Sequence, residues 1–230
     1  DATATNSIVL GGNTILAGTS PLGNELVTDG DFSEVGVEEL QNGDFSEGVL
    51  HWVVPDGSVE FNNGAIFDVN TKIYQNNIIV TGKSYKVTYE ITENTGGMSF
   101  RFYNGAAYFY VDNSVGVHTA YFVGSGTNHR FYASTLSGTS LTLKSISVKE
   151  VGQDWNLGTG ITIGSGIALF TSVSSGQQLS QSSAPGVSGK KYIISYEIKT
   201  RTEGAFSASI GGVLSSNQNS AVGVYTEYLT

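Results

Sequence analysis

The stretch Gly82-Lys83-Ser84-Tyr85-Lys86-Val87-Thr88-Tyr89-Glu90-Ile91 returns 107 residues later as Gly189-Lys190-Lys191-Tyr192-Ile193-Ile194-Ser195-Tyr196-Glu197-Ile198. In the first copy Tyr85, Val87, Tyr89 and Ile91 fall on one face, and Lys86, Thr88 and Glu90 on the other. Alternation with period two and one apolar face predicts a half-buried strand after a glycine turn. A strand that recurs with its flanks predicts two copies of one β module.

The spacing holds beyond the strand. Val115-Gly116-Val117-His118-Thr119-Ala120-Tyr121-Phe122 matches Val222-Gly223-Val224-Tyr225-Thr226-Glu227-Tyr228-Leu229, again 107 apart. Trp155 takes the part of Trp52, and Leu179-Ser180-Gln181 that of Ile73-Tyr74-Gln75. Around Trp52 the apolar runs are short and close. Val59-Glu60-Phe61 and Ala65-Ile66-Phe67 flank Asn62-Asn63-Gly64, a hairpin signal. Runs at 71–80, 98–103, 107–111, 117–123, 130–133 and 141–148 follow, with no amphipathic helical period between them. Thirty Gly and only 13% charged residues suit tight turns between short strands. The fold class expected is therefore all-β: two tandem β-sandwich or jelly-roll modules.

The expected division is an N-terminal arm or linker at 1–23, a first module at 24–151 and a second at 152–230. The arm holds two apolar runs, Ile8-Val9-Leu10 and Ile15-Leu16-Ala17, which could form a hairpin across Gly11-Gly12-Asn13. A local duplication follows it: Glu25 to Glu34 is echoed by Glu39 to Glu47, each with a Gly-Asp-Phe-Ser turn. One copy is expected to open the first module, and the one nearer Trp52 fits better. The second module reaches Leu229 with one residue left, where the first continues through Val151. It is expected to be incomplete at its C-terminus, with its last strands supplied beyond Thr230 or by another chain.

Charge and residue usage exclude several functions. A net charge of −9 with only 11 basic residues does not make a nucleic-acid-binding stripe. No apolar run is long enough to span a membrane as a helix. Without cysteine there is no disulfide and no thiolate metal site. His51, His118 and His129 are not spaced as metal ligands, and no Gly-x-Ser-x-Gly elbow is present. The acidic residues Asp29, Asp31, Glu34, Glu38, Glu39, Asp44 and Glu47 crowd the duplicated turns. Glycoside hydrolysis needs two carboxyl groups flanking one bond across a cleft, and turns do not offer that arrangement. An enzyme is not expected.

Asn42-Gly43-Asp44-Phe45-Ser46-Glu47-Gly48, then Trp52, the tyrosine-rich strand, and Leu143 to Val151 together resemble the carbohydrate-binding-module type of galactose-binding-like jelly roll, the CBM4/9 group. More narrowly they resemble the tandem copies of it in phage tail-fibre and other virion surface proteins. The resemblance implies a structural component of a virion surface or tail fibre with glycan-binding ability. It implies other virion proteins and cell-surface polysaccharide as partners, a homo-oligomer, and a virion-surface or extracellular location. The alternative is a carbohydrate-binding region of a bacterial secreted glycoside hydrolase or adhesin. Many such modules hold a structural calcium, for which Asp44 and Glu47 are the candidates; Lys144 near the last strand opposes a cation there. No other cofactor is expected.

Sugars pack their C–H faces on aromatic rings while polar side chains read their hydroxyls. The candidates for this in the first module are Arg101, Tyr103, Tyr108, Tyr110, His118, Arg130 and Tyr132. At the 107-residue spacing Arg101, Tyr103, Tyr108 and Tyr110 become Ala208, Ile210, Ser215 and Asn217. Two readings follow: the first module binds and the second is a spacer, or neither binds and both are structural; any recognition is expected of the first module alone. Trp52 and Trp155, present in both copies, are expected to be core anchors.

Overall fold

The computed structural model describes residues 23–55, 59–182 and 186–230, together with the backbone of 5–10. The hairpin expected across Gly11-Gly12-Asn13 lies outside the described residues. In chain order the strands are β1 (Thr5–Leu10), β2 (Val35–Glu38), β3 (Val59–Phe61), β4 (Ala65–Phe67), β5 (Lys72–Gln75), β6 (Ser84–Thr95), β7 (Phe100–Tyr103), β8 (Tyr108–Tyr110), β9 (Gly116–Val123), β10 (Phe131–Thr135) and β11 (Ser140–Val151). They continue as β12 (Asn156–Leu157), β13 (Ile161–Gly164), β14 (Ile167–Thr171), β15 (Leu179–Ser180), β16 (Tyr192–Thr200), β17 (Ser209–Ile210), β18 (Val213–Leu214) and β19 (Gly223–Leu229). No helix occurs among the described residues, and every strand pairing is antiparallel. The fold is all-β.

Two compact units divide the chain, and they do not follow one another. One is Val35–Val151; the other joins Asp1–Glu34 to Gly152–Thr230. The first is inserted into the second, so we call them the inserted and the split unit.

The inserted unit is a sandwich. One sheet runs β3-β4-β11-β6-β9, with β2 beside β11; the other runs β5-β10-β7-β8. Alternate residues of β6 are buried as its pattern predicts: Tyr85, Val87, Tyr89 and Ile91 are all within 1% of full burial. They meet the inner residues of the second sheet. Tyr89 lies 5.7 Å from Phe100 and 5.1 Å from Phe102, ring to ring, and Phe67 lies 6.0 Å from Phe100. Each such side chain contributes roughly 1.5–3 kcal/mol by leaving water. Tyrosine in this core needs partners for its hydroxyl. Tyr89 donates to the Asp112 carbonyl at 2.6 Å, and Tyr85 accepts from the Val80 amide at 2.9 Å. Burial holds both phenols above their ordinary pKa.

The split unit repeats the first sheet as β13-β14-β1-β16-β19. Here β1 sits between β14 and β16 as β11 sits between β4 and β6. The registers agree: Ile8 stands opposite Ala168 and Ile198, and Leu143 opposite Ala65 and Ile91, the repeats of those residues.

This corrects the expected division at three points. Residues 5–10 form a central strand and not a linker. Residues 24–34 belong with 152–230 and not with the first module. The place of the last strand in the split unit's sheet is taken from the N-terminal side.

The duplicated turn shows why. Phe45 packs on Trp52 at 5.5 Å, and Phe32 packs on Trp155 at 5.4 Å. The Trp52 indole donates to the Asn42 carbonyl at 2.9 Å; that of Trp155 donates to the Asp29 carbonyl at 3.1 Å. Gln75 clamps the backbone of Gln41 through both amide atoms, and Gln181 clamps Thr28 in the same way. Asp29, Phe32, Asn42 and Phe45 all take positive φ, between 48° and 57°. Each copy of the turn therefore serves one unit, and neither is spare.

Candidate functional site

The sheet β5-β10-β7-β8 buries one face and presents the other. In β7, Phe100 and Phe102 point inward, which leaves Arg101 and Tyr103 outward. In β8, Tyr108 and Tyr110 are exposed on either side of the partly buried Phe109. Register then sets the neighbours: Tyr132 stands opposite Tyr74 on one side and Tyr103 on the other, and Tyr103 stands opposite Tyr108. A row of four tyrosines, Tyr74-Tyr132-Tyr103-Tyr108, thus crosses all four strands. Successive ring centroids are 4.8, 4.9 and 5.1 Å apart, and the planes are tilted or edge-on, the arrangements that the aromatic quadrupole favours.

A second row lies beside the first. Lys72 stands opposite Ser134, Ser134 opposite Arg101, and Arg101 opposite Tyr110. The Arg101 guanidinium lies 4.1 Å from the Tyr108 ring centroid, a cation–π contact. Its Nε is buried and has no hydrogen-bond partner. At the far end Arg130 lies 4.9 Å over Tyr74, donates to Asn76 Oδ1 at 2.9 Å and reaches the Tyr132 hydroxyl at 3.3 Å.

Six of the seven predicted residues therefore share one face: Arg101, Tyr103, Tyr108, Tyr110, Arg130 and Tyr132. His118 does not join them. It lies on β9, in the other sheet, with its ring 5.3 Å from Tyr89. Its Nε2 donates to the Ser114 carbonyl at 2.8 Å, as Tyr225 in the split unit donates to the Ala221 carbonyl at 2.8 Å. Two different side chains make the same bond 107 residues apart, so the residue closes its own turn. Tyr74 and Lys72 belong to the face and were not singled out in the sequence. The alternation in Lys72-Ile73-Tyr74-Gln75 marks Tyr74 as outward, but only strand order brings it beside Tyr132.

Among the described residues of the split unit this face is not found. Its hairpin β17–β18 pairs Ile210 with Val213 across Gly211-Gly212, where Tyr103 pairs with Tyr108 across four residues. The shorter turn breaks the 107-residue register locally. Val213, and not Ser215, stands where Tyr108 does, and Ser215 stands where Tyr110 does. Ala208 and Ser215 are buried and Leu214 is exposed, so the hairpin also turns its faces over. Asn217 instead donates to the buried Glu227 carboxylate at 2.9 Å.

The carboxylates of the turns hold backbone. Asp44 Oδ1 accepts from the Ser46 amide and hydroxyl, which lowers its pKa, and Asp31 does the same with Ser33. Glu38 accepts from the amides of Leu40 and Val148. Glu47 lies 3.9 Å from His51. Among the described residues no three His, Asp or Glu side chains converge as a metal site. Trp52 is buried in the core, and Trp155 is half-buried against Phe32.

These features define an antiparallel two-sheet sandwich that carries one aromatic, cationic outer face. No family model matches the chain, and no curated protein matches it. Among solved structures it is similar to the N-terminal cellulose-binding domain of β-1,4-glucanase C from Cellulomonas fimi. That likeness has 18% identity and a TM-score of 0.26, over 57% of this chain and 93% of the other.

Proposed function

We propose that this chain is a non-catalytic glycan-binding protein that holds polysaccharide on the outward face of β5-β10-β7-β8. The observation that carries this reading is the row Tyr74-Tyr132-Tyr103-Tyr108, aligned across four strands by register. Such a row offers aromatic surface to successive sugar rings at low entropic cost, since a tyrosine already packed on its neighbours has little rotamer freedom to lose. The setting we propose is a phage virion surface or tail fibre, supported by the resemblance of the duplicated motifs to modules found there. A symmetric fibre would repeat the face many times, so that weak single sites add through avidity. A region of a bacterial secreted hydrolase or adhesin would use the same face; finding the chain in assembled particles decides for the first setting.

The test is a glycan array probed with the full chain and with its Tyr103→Ala and Tyr108→Ala variants. Binding by the native chain is expected to fall about tenfold or more in each variant, the loss typical of a truncated aromatic anchor. No binding to any glycan, or binding indifferent to both substitutions, rejects the proposal.

A further inference from the structure

The chain carries 20 acidic and 11 basic residues, yet the four strands β5, β7, β8 and β10 contain no Asp or Glu at all. Their outward face holds Lys72 and Arg101, and Arg130 adjoins it at the start of β10. The opposite sheet of the same unit is mixed, with Glu90, Glu93 and Glu150 on β6 and β11 beside Lys86, Lys144 and Lys149. Cations are therefore kept on the tyrosine face while carboxylates are kept off it. The net charge of the chain runs the other way, so the segregation is local and not a consequence of composition.

Two details tie these cations to a ligand. Arg101 lies over Tyr108, with its Nε buried and unpartnered. A buried donor left unpaired is costly, and a small shift of the side chain toward an arriving anion would pair it. Arg130, over Tyr74, is fixed by Asn76 and Tyr132. Two guanidinium groups thus stand near the two ends of the tyrosine row, where substituents of a bound chain would meet them. We infer that the ligand is an anionic polysaccharide, whose sugar rings pack on the tyrosines while its carboxylate or sulfate groups pair with Arg101, Arg130 and Lys72. This inference rests on the glycan-binding reading of the same face and adds the charge of the substrate.

The test is affinity electrophoresis of the full chain in a chelating buffer, through gels holding polygalacturonate, dextran sulfate or hydroxyethylcellulose. Retardation is expected with polygalacturonate or dextran sulfate, and which of the two acts tells carboxylate from sulfate. Arg101→Gln, checked for an unchanged unfolding transition, should weaken retardation about tenfold, the scale of a lost charged hydrogen bond, and Arg101→Lys should restore part of it. Raising ionic strength from about 0.01 M to about 0.15 M shortens the Debye length from about 30 Å to about 8 Å and should weaken binding further. Equal retardation by hydroxyethylcellulose, or indifference to Arg101→Gln and Arg130→Gln, overturns the inference and leaves the glycan reading standing. If no polymer retards the chain, both fall. Tighter binding of a single-stranded oligothymidylate than of any polysaccharide also overturns the inference, since the stacked tyrosines would then be a nucleotide platform.

Discussion

Phe32→Ala separates the nested chain from a tandem one. Phe32 is 3% exposed, and its ring lies 5.4 Å from that of Trp155. Truncating a buried phenylalanine costs about 3–5 kcal/mol. A domain of roughly a hundred residues loses about 4 °C of melting temperature for each kcal/mol, so the split unit should melt at least about 12 °C lower. That loss is a large part of the 5–15 kcal/mol that holds a typical domain. The chain supplies its own assay, because it has only two tryptophans, one in each unit. In a Trp52→Phe background fluorescence follows the split unit through Trp155; in a Trp155→Phe background it follows the inserted unit through Trp52. Phe32→Ala should lower the first transition and leave the second in place, and Phe45→Ala should do the reverse. If Phe32→Ala moves the Trp52 transition, or neither one, then residues 24–34 do not belong to the split unit and the nesting is wrong.

Two further outcomes follow from the same turns. Asp29 and Asn42 hold equivalent places, but Asn42 Nδ2 donates to the carbonyls of Gly48 and Leu50 at 2.9 Å, whereas Asp29 Oδ2 is buried without a partner. Burial, aided by Asp31 and Asp154, raises the Asp29 pKa against the amides of Glu34 and Ser33. The folded form thus holds its proton more tightly than the unfolded chain, and stability falls as pH rises from the ordinary carboxylate range through the raised value. Asp29→Asn should flatten that dependence and raise stability at neutral pH by about 1 kcal/mol, read as the Trp155 denaturation midpoint in chelator; an unchanged pH slope counts against it. Gly43→Ala should cost the inserted unit about 1–3 kcal/mol, because a Cβ there would meet the Ile146 carbonyl oxygen at 2.1 Å; an unchanged Trp52 transition would show that the backbones of Gly43 and Ile146 are not so close.

Much of this fold is legible in the chain, and the rest is hidden for a physical reason. The alternation in Tyr85 to Ile91 is local, and it places every side chain of that stretch correctly. The same holds for Phe100 to Tyr103 and for Tyr108 to Tyr110, whose outward faces can be read from period two. The duplicated turn is equally visible, but its use is not. Phe32 reaches Trp155 across more than a hundred residues of inserted chain, and nothing in spacing announces that contact. The order β5-β10-β7-β8 is non-local in the same way. It makes Tyr74 a neighbour of Tyr132, and it separates His118, two strands further along the chain than Tyr103, into the other sheet.

The two units act as controls for each other. A bond made in both copies by residues at equivalent places belongs to the scaffold: the Tyr85 and Tyr192 hydroxyls each accept an amide five residues back, from Val80 and Val187. The clamps of Gln75 and Gln181 and the turn bonds of His118 and Tyr225 fall in that class. By this criterion His118 leaves the site even before its sheet is considered. The tyrosine row passes the same test in the opposite sense, since among the described residues only the inserted unit has it. The reason is topological. Tyr132 joins Tyr74 to Tyr103 because β10 lies between β5 and β7, and among the described residues of the split unit no strand pairs with both β15 and β17. Without that middle strand a continuous aromatic row cannot be built, whatever side chains the hairpin β17–β18 carries. The aromatic face therefore depends on β10 more than on any single tyrosine, and Tyr132, the most buried of the four, is the residue on which its continuity rests.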